Sequence, residues 1–281
     1  MFADDAVVYT SHRDFEICLD RINELINVLS IWMSKNRLTV NTTKTKIMLF
    51  SNRNIPHLPN VYFNDAVIEW VHSIKYLGMT IDSKLLFAEH IGQVHRKLSG
   101  ILGLFYSMHN YMPRSTMMTL YYSLVYSKVC QNIIIWGAAA KCHTNKLDTA
   151  LNKILRVILN VKFSINRIPL TATNSMYKDL KLLKFHDIYR FFLLKFIHNA
   201  LYKNPDIFDK YFSIYMPNHY YPTRHNRINL PNVRLDVGIR STVFQACKLM
   251  NEMDDRFLEP QSAYTLKKNF KELCLEKHEL I

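Results

Sequence analysis

From Leu85 to Ile168 the chain meets a single proline, Pro113, while its apolar residues recur at three- and four-residue spacing. A stretch of this kind folds as several packed amphipathic helices. Candidate spans are Ala88 to Tyr106, Arg114 to Trp136 and Asn145 to Leu159, the last with Leu147, Leu151, Ile154, Leu155 and Ile158 on one face. Further helices are expected over about Leu180 to Tyr202 and from Ser241 to the end. Composition agrees: 6 glycines in 281 residues leave too few turn residues for a many-stranded barrel or sandwich. With 49% apolar and 21% charged residues, the chain can bury a core and is not disordered as a whole.

Residues 1–82 read differently. Ala6 to Tyr9 has the texture of a short β-branched strand, and Asp14 to Lys35 of one amphipathic helix with Phe15, Leu19, Ile22, Leu25, Ile26, Leu29 and Trp32 on its apolar side. Leu38 to Val40 and Ile47 to Phe50 read as strands, Val61 to Val71 as a hairpin turning at Asn64-Asp65, and Ile74 to Ile81 as one more strand. The fold class expected is α+β: a small mixed unit over 1–82, a helical region over 83–168, and a mainly helical 169–281. An irregular connection is expected over 211–234, where Pro217, Pro222 and Pro231 fall.

The five cysteines are odd in number and form no C-x-x-C pair, so they read as reduced thiols. Cys142-His143 lacks a second close ligand pair for zinc. No apolar run reaches the ~18 residues of a membrane helix, and Asp4-Asp5 does not fit a signal peptide. The expected location is the nucleus or cytoplasm, without secretion and without a membrane partner.

The net charge of +13 is concentrated. Residues 88–199 hold 15 basic and 4 acidic residues, a local excess of +11. Such a field suits a polyanion, because each neutralised phosphate releases a counterion; solvated helix faces are the competing explanation. Lys97, Lys153, Arg156 and Lys162 punctuate the helices of this region and are the candidate contacts to non-specific nucleic acid. Tyr121, Tyr122 and Tyr126 fall at helical spacing and are expected in the core or a subunit contact rather than under bases.

Adjacent aspartates on a tight strand-turn-strand hairpin are an arrangement that holds Mg²⁺ for nucleotidyl transfer, since hard carboxylate oxygens can share two ions ~3.5–4 Å apart. Asp4 and Asp5 are such a pair, although two acidic residues near a terminus are commonly no more than that. Four ordered blocks change the weighting. Phe2-Ala3-Asp4-Asp5, Trp32, Asn36-x-Leu38-x-x-Asn41-x-x-Lys44-Thr45 and Tyr76-Leu77-Gly78-x-x-Ile81-Asp82 together resemble the reverse transcriptases of non-LTR, jockey-like retrotransposons. His90-Ile91, Lys97, Leu120-Tyr121 to Tyr126-Ser127 and Trp136-Gly137 resemble that family's thumb and its extension.

The resemblance implies the C-terminal part of a polymerase palm followed by a helical thumb. It implies Asp4 and Asp5 as Mg²⁺ ligands, an Asn41/Lys44 block beside the nucleotide, and Tyr76, Leu77 and Gly78 at the primer, with an RNA template and a DNA primer as partners. Lys44 can serve the pyrophosphate leaving group as proton donor or counter-charge. Asn41 caps a turn or touches substrate, and Gly78 marks a strand bulge or a primer contact. The sequence begins with Met1 directly on Phe2, so the hairpin's leading strand, a third metal-binding aspartate and the fingers are expected to be absent. That predicts a truncated element without polymerase activity of its own. The alternatives are a non-catalytic nucleic-acid-binding helical protein derived from a retroelement, and a relic without function.

Overall fold

The computed structural model describes residues 6–51, 53, 55, 57–161, 172–216 and 228–277. The chain divides into two compact units, Met1–Leu85 and Leu86–Ile281. Small sheets lie in the first and the second is helical, so the chain is mostly helical and α+β in character.

In the first unit, α1 (Phe15–Lys35) starts where the Asp14 carboxylate accepts the Glu16 N–H at 3.0 Å. It closes as a Schellman turn. Arg37 takes a left-handed backbone at φ 55°, and the Arg37 and Leu38 N–H groups reach the carbonyls of Ser34 and Met33. Three strands follow: β1 (Lys46–Ile47), β2 (Val61–Phe63) and β3 (Ala66–Trp70), in the order β1-β3-β2. The β2–β3 hairpin pairs Val61 with Ile68 and Phe63 with Ala66 across Asn64-Asp65. β1 joins in parallel with Lys46 opposite Glu69, an ion pair at 2.6 Å. Period-two alternation puts Val61, Phe63 and Ile68 on one face, where Leu19, Ile22, Ile26 and Leu29 of α1 cover them. A separate ribbon, β4 (Ser73–Tyr76) and β5 (Met79–Asp82), completes the unit.

Three expectations here are corrected. Ala6 to Tyr9 form no ladder among the described residues, and Val7, Val8 and Tyr9 are exposed. Leu38 to Val40 is coil, because the Schellman turn at Arg37 redirects the chain. Ile74 to Ile81 is two strands rather than one, since Leu77 and Gly78 both take positive φ, 45° and 79°, and make a two-residue hairpin loop instead of a bulge.

The second unit opens with α2 (Ala88–Met108) and α3 (Arg114–Leu120), the latter widening into a π-helical stretch, Tyr121–Tyr126, before α4 (Ser127–Cys130). The expected single helix from Arg114 to Trp136 breaks at Gln131-Asn132. Gln131 is extended and Asn132 left-handed at φ 53°, a conformation asparagine tolerates, and α5 (Ile133–Trp136) starts afresh. Then come α6 (Lys141–Ile158), α7 (Thr173–Asp179), α8 (Phe185–Tyr202), α9 (Pro205–Tyr211), α10 (Asp236–Ile239), α11 (Thr242–Glu252) and α12 (Ala263–Lys277).

α2 and α6 pack along each other. α8 carries buried residues from Phe185 through Leu194 to Ala200 on more than one side, the mark of a central helix, and α4, α5, α9, α11 and α12 pack around it. No described helix is long and apolar enough to cross a membrane.

Candidate functional site

Of the residues that sequence singles out, Asp4, Asp5 and Lys162 lie outside the described residues. Among the described residues no group of three or more His, Cys, Asp or Glu side chains is placed to hold a metal ion.

The block from Trp32 to Thr45 forms the exit of α1 and the entry to β1. The Asn36 side-chain amide donates to the Trp32 carbonyl at 2.8 Å and so closes the helix end. Asn41 organises the next turn. Its side-chain oxygen accepts the Thr43 hydroxyl at 2.6 Å and the Lys44 N–H at 3.2 Å, while its carbonyl accepts the Thr45 N–H at 3.0 Å and hydroxyl at 2.9 Å. An Asx turn of this kind fixes the backbone of Lys44 and leaves its side chain exposed beside β1. Asn41 therefore sets the turn from which the exposed Lys44 projects.

Tyr76, Leu77 and Gly78 make the tip of the β4–β5 ribbon. Tyr76 pairs with Met79 across the loop and is half-buried, whereas Leu77 is exposed at the turn. Both central residues have positive φ, which asparagine or glycine adopts readily and leucine does not; for an L-residue with a Cβ the left-handed region costs roughly 1–2 kcal/mol.

In the second unit, Lys97 on α2 and Lys153 on α6 are exposed, on two helices that pack together. Arg156 lies one turn beyond Lys153 and is half-buried, with its Nε enclosed and without a hydrogen-bond partner. Its guanidinium is near enough to the Tyr177 phenol to favour the ionised form, against the stronger opposing effect of burial. Three of the four cations therefore sit on one pair of helices, two presented outward and one folded against α7.

The motif residues of this unit are core residues. His90 is buried with its ring edge-on to Trp136 at 5.3 Å, and its pKa is held below the ordinary value, first by burial and then by the nearby Lys97 charge. Trp136 stacks on Phe185 at 5.6 Å, and its indole N–H donates to the Gln131 carbonyl at 2.9 Å, which pins the break between α4 and α5. Gly137 follows because nothing larger fits: a Cβ there would stand 2.4 Å from Cδ2 of Tyr189 and 2.6 Å from the Ile133 carbonyl oxygen. Tyr121 is buried, Tyr126 half-buried and Tyr122 exposed, so the π-helical stretch splits its tyrosines between core and surface.

Sequence reasoning left α7 and its junction with α6 and the start of α8 unmarked, although the junction carries a cavity of about 230 Å³ lined by Asp148, Asn152, Thr173, Tyr177, Lys184 and His186. The Tyr177 hydroxyl donates to Asn152 at 3.0 Å and the Lys184 ammonium to Asn174 at 2.7 Å. Burial raises the Asp148 carboxyl above its ordinary range, with Lys184 opposing. The one signal for it in the sequence is the four-residue spacing of Asp148 and Asn152.

No family model matches the chain, and no solved structure matches it. Curated relatives do. The chain is 26% identical over 189 residues, 66% of its length, to the RNA-directed DNA polymerase from mobile element jockey of Drosophila melanogaster. To the jockey polymerase of Drosophila funebris it is 26% identical over 212 residues, 73% of its length. With a protein of transposon X-element of Drosophila melanogaster it shares 24% over 185 residues, 64% of its length. The chain spans 20–22% of the length of these relatives. It is a distant homologue of the jockey-like non-LTR retrotransposon reverse transcriptases, about 25% identical to them over about 65% of its length.

Proposed function

We propose that the chain is a palm-to-thumb segment of an RNA-directed DNA polymerase of a non-LTR retrotransposon. Residues 1–82 are the C-terminal part of the palm, 83–168 the thumb, and 169–281 a helical extension. The observation that carries this reading is the homology to jockey-like polymerases, joined to motif blocks in the same order along the chain. Two features of the fold support it. α1 is apolar on two sides, and while Leu19, Ile22, Ile26 and Leu29 cover the small sheet, Ile17, Leu25, Val28, Ile31 and Trp32 are exposed. A helix of that kind belongs between two layers, as in a larger domain. The Leu77-Gly78 tip supports a role at the primer, with Tyr76 behind it.

Asp4 and Asp5 are the residues that would hold Mg²⁺, as adjacent hard-oxygen donors suited to it. When bound, that ion supplies activation of the primer 3′-hydroxyl and charge stabilisation of the departing pyrophosphate. Lys44, presented by Asn41, neutralises the leaving group or gives it a proton. Lys97, Lys153, Arg156 and Lys162 contact phosphates of the RNA template and DNA primer, with Arg156 swinging out of its niche against α7 to do so. The element works in the nucleus or cytoplasm.

The chain spans about a fifth of the length of its polymerase relatives, and a ~1 Å misplacement of the metal-holding groups can cost about a hundredfold in rate. The chain by itself therefore binds a primed RNA template and does not extend it with Mg²⁺ or Mn²⁺. Extension above that of an Asp4→Ala, Asp5→Ala double variant would overturn the inactivity; failure to retain the primed template would overturn the assignment. The second reading, a non-catalytic nucleic-acid-binding helical protein derived from a retroelement, is favoured by the +11 excess over residues 88–199. It predicts equal binding with and without the Leu77-Gly78 tip intact.

A further inference from the structure

From His90 to Leu147 the chain has six basic residues and no aspartate or glutamate. α2 lies almost wholly inside this stretch. It buries Ile91, Val94, Leu98 and Phe105 on one side, and Arg96, Gly100, Gly103 and Ser107 recur on the opposite, exposed face at three- and four-residue spacing. A Cβ at Gly100 or Gly103 would meet nothing within 4 Å, so the helix backbone lies open to a close approach there. Arg96 makes no ion pair among the described residues.

The same helix ends in exposed aromatic residues. Tyr106 is 53% exposed, and its ring stands edge to face with that of His109 at 6.4 Å, while the His109 Nδ1–H donates to the Tyr106 carbonyl at 2.6 Å. The Met108 carbonyl then accepts the N–H groups of both Tyr111 and Met112 at 3.0 Å, so the chain turns on the helix end and keeps Tyr111 beside it, 84% exposed. Arg114, three residues on, donates to the Asp179 carbonyl at 3.3 Å and ties the far side of the turn to the end of α7. Arg96 lies ten residues before Tyr106, roughly 15 Å along the helix axis.

We propose that the exposed face of α2 and the turn after it bind a single strand of nucleic acid, with Arg96 on a phosphate and Tyr106 and Tyr111 stacked on bases. A surface with cations and no carboxylates favours a polyanion. Exposed aromatic rings select the unpaired strand, because its bases offer free faces whereas those of a duplex are already stacked on one another. A second copy of this chain would bring its own positive charge to the same face and be repelled. The proposal rests on the nucleic-acid reading above and adds to it a preference for unpaired strands and the residues that confer it.

The test uses the full chain, a fluorescent oligothymidylate and a blunt DNA duplex, each titrated at several salt concentrations. Tyr106→Ala and Tyr111→Ala should each weaken oligothymidylate binding about tenfold and leave duplex binding unchanged. The salt slope should stay the same in both, since stacking releases no counterions, whereas Arg96→Ala should flatten it by ~0.7 on the single strand. A Tyr106→Phe, Tyr111→Phe variant should bind like the unmodified chain, because the ring and not the hydroxyl stacks. Both side chains are exposed, so Tm should move by no more than about 2 °C in any of these variants. Oligothymidylate affinity unaltered in the Tyr106→Ala, Tyr111→Ala double variant, with the duplex still bound, would overturn this platform and leave the nucleic-acid reading standing. An equal loss on duplex and single strand would overturn the preference and with it the proposal. No binding of either probe by the unmodified chain would overturn the nucleic-acid reading itself. A dimer that the double variant dissociates, without loss of oligothymidylate binding, would make the face a contact between copies and overturn the proposal.

Discussion

Gly137→Ala tests the packing argument for the Trp136-Gly137 block. The new Cβ would lie 2.4 Å from Cδ2 of Tyr189, about 1 Å inside ordinary contact, and 2.6 Å from the Ile133 carbonyl oxygen. Tyr189 is 2% exposed and enclosed in the second unit's core, so its ring must leave its rotamer or push α8 aside. Overpacking of this kind costs ~1–3 kcal/mol, and backbone on one side puts it near the upper end. For a unit of this size each kcal/mol moves Tm by roughly 2–4 °C, so a drop of about 6–12 °C is expected by circular dichroism. Tyr189→Leu removes the offending ring, and its hydroxyl leaves no partner unsatisfied because it has none. The double variant should therefore be more stable than the sum of single losses predicts, by about 1 kcal/mol or more. A Gly137→Ala protein within about 0.5 kcal/mol of wild type, or strict additivity, would refute the reasoning.

Other outcomes follow from the same contacts. The buried His90 has a folded pKa below its unfolded value of 6.5, so the unfolded chain binds the proton more readily. Stability contributed by neutral His90 is complete above about pH 6.5 and is lost as pH falls toward the folded pKa; His90→Phe should flatten the melting profile over that window. Gly78→Ala places a Cβ on φ 79° and should loosen the β4–β5 ribbon by roughly 1–2 kcal/mol, read as faster amide exchange at Met79 and Thr80. Asn41→Ala removes the side-chain acceptor of Thr43 and Lys44 and should cost about 1 kcal/mol, read as a lower melting temperature of the first unit.

Periodicity located α1, the β2–β3 hairpin and α6 closely, because each is decided by an apolar face or by Asn64-Asp65 within a few residues. It failed where single residues in left-handed backbone decide the path. Arg37, Leu77, Asn132 and Lys181 all have positive φ, and only Asn132 announces it in its side chain. A glycine inside a β-branched run reads as a bulge until the residue before it is also known to be left-handed, which is why Leu77-Gly78 was legible as a motif and not as a turn. The candidate site was legible to the extent that Asn41's capping chemistry is local. The niche of Arg156 was not, since it depends on Tyr177, more than twenty positions along the chain.

In the reading proposed above, the basic helical region engages nucleic acid through phosphates. The most direct measurement is filter binding of the full chain to duplex DNA across salt concentrations, beside a Lys97→Ala, Lys153→Ala, Arg156→Ala, Lys162→Ala variant. Four phosphate contacts predict a fall of log affinity against log salt with a slope of about −3 to −4, flattened in the variant. An affinity independent of salt, or a slope the four substitutions leave unchanged, would rule out phosphate contacts by these residues and leave residues 88–199 as scaffold.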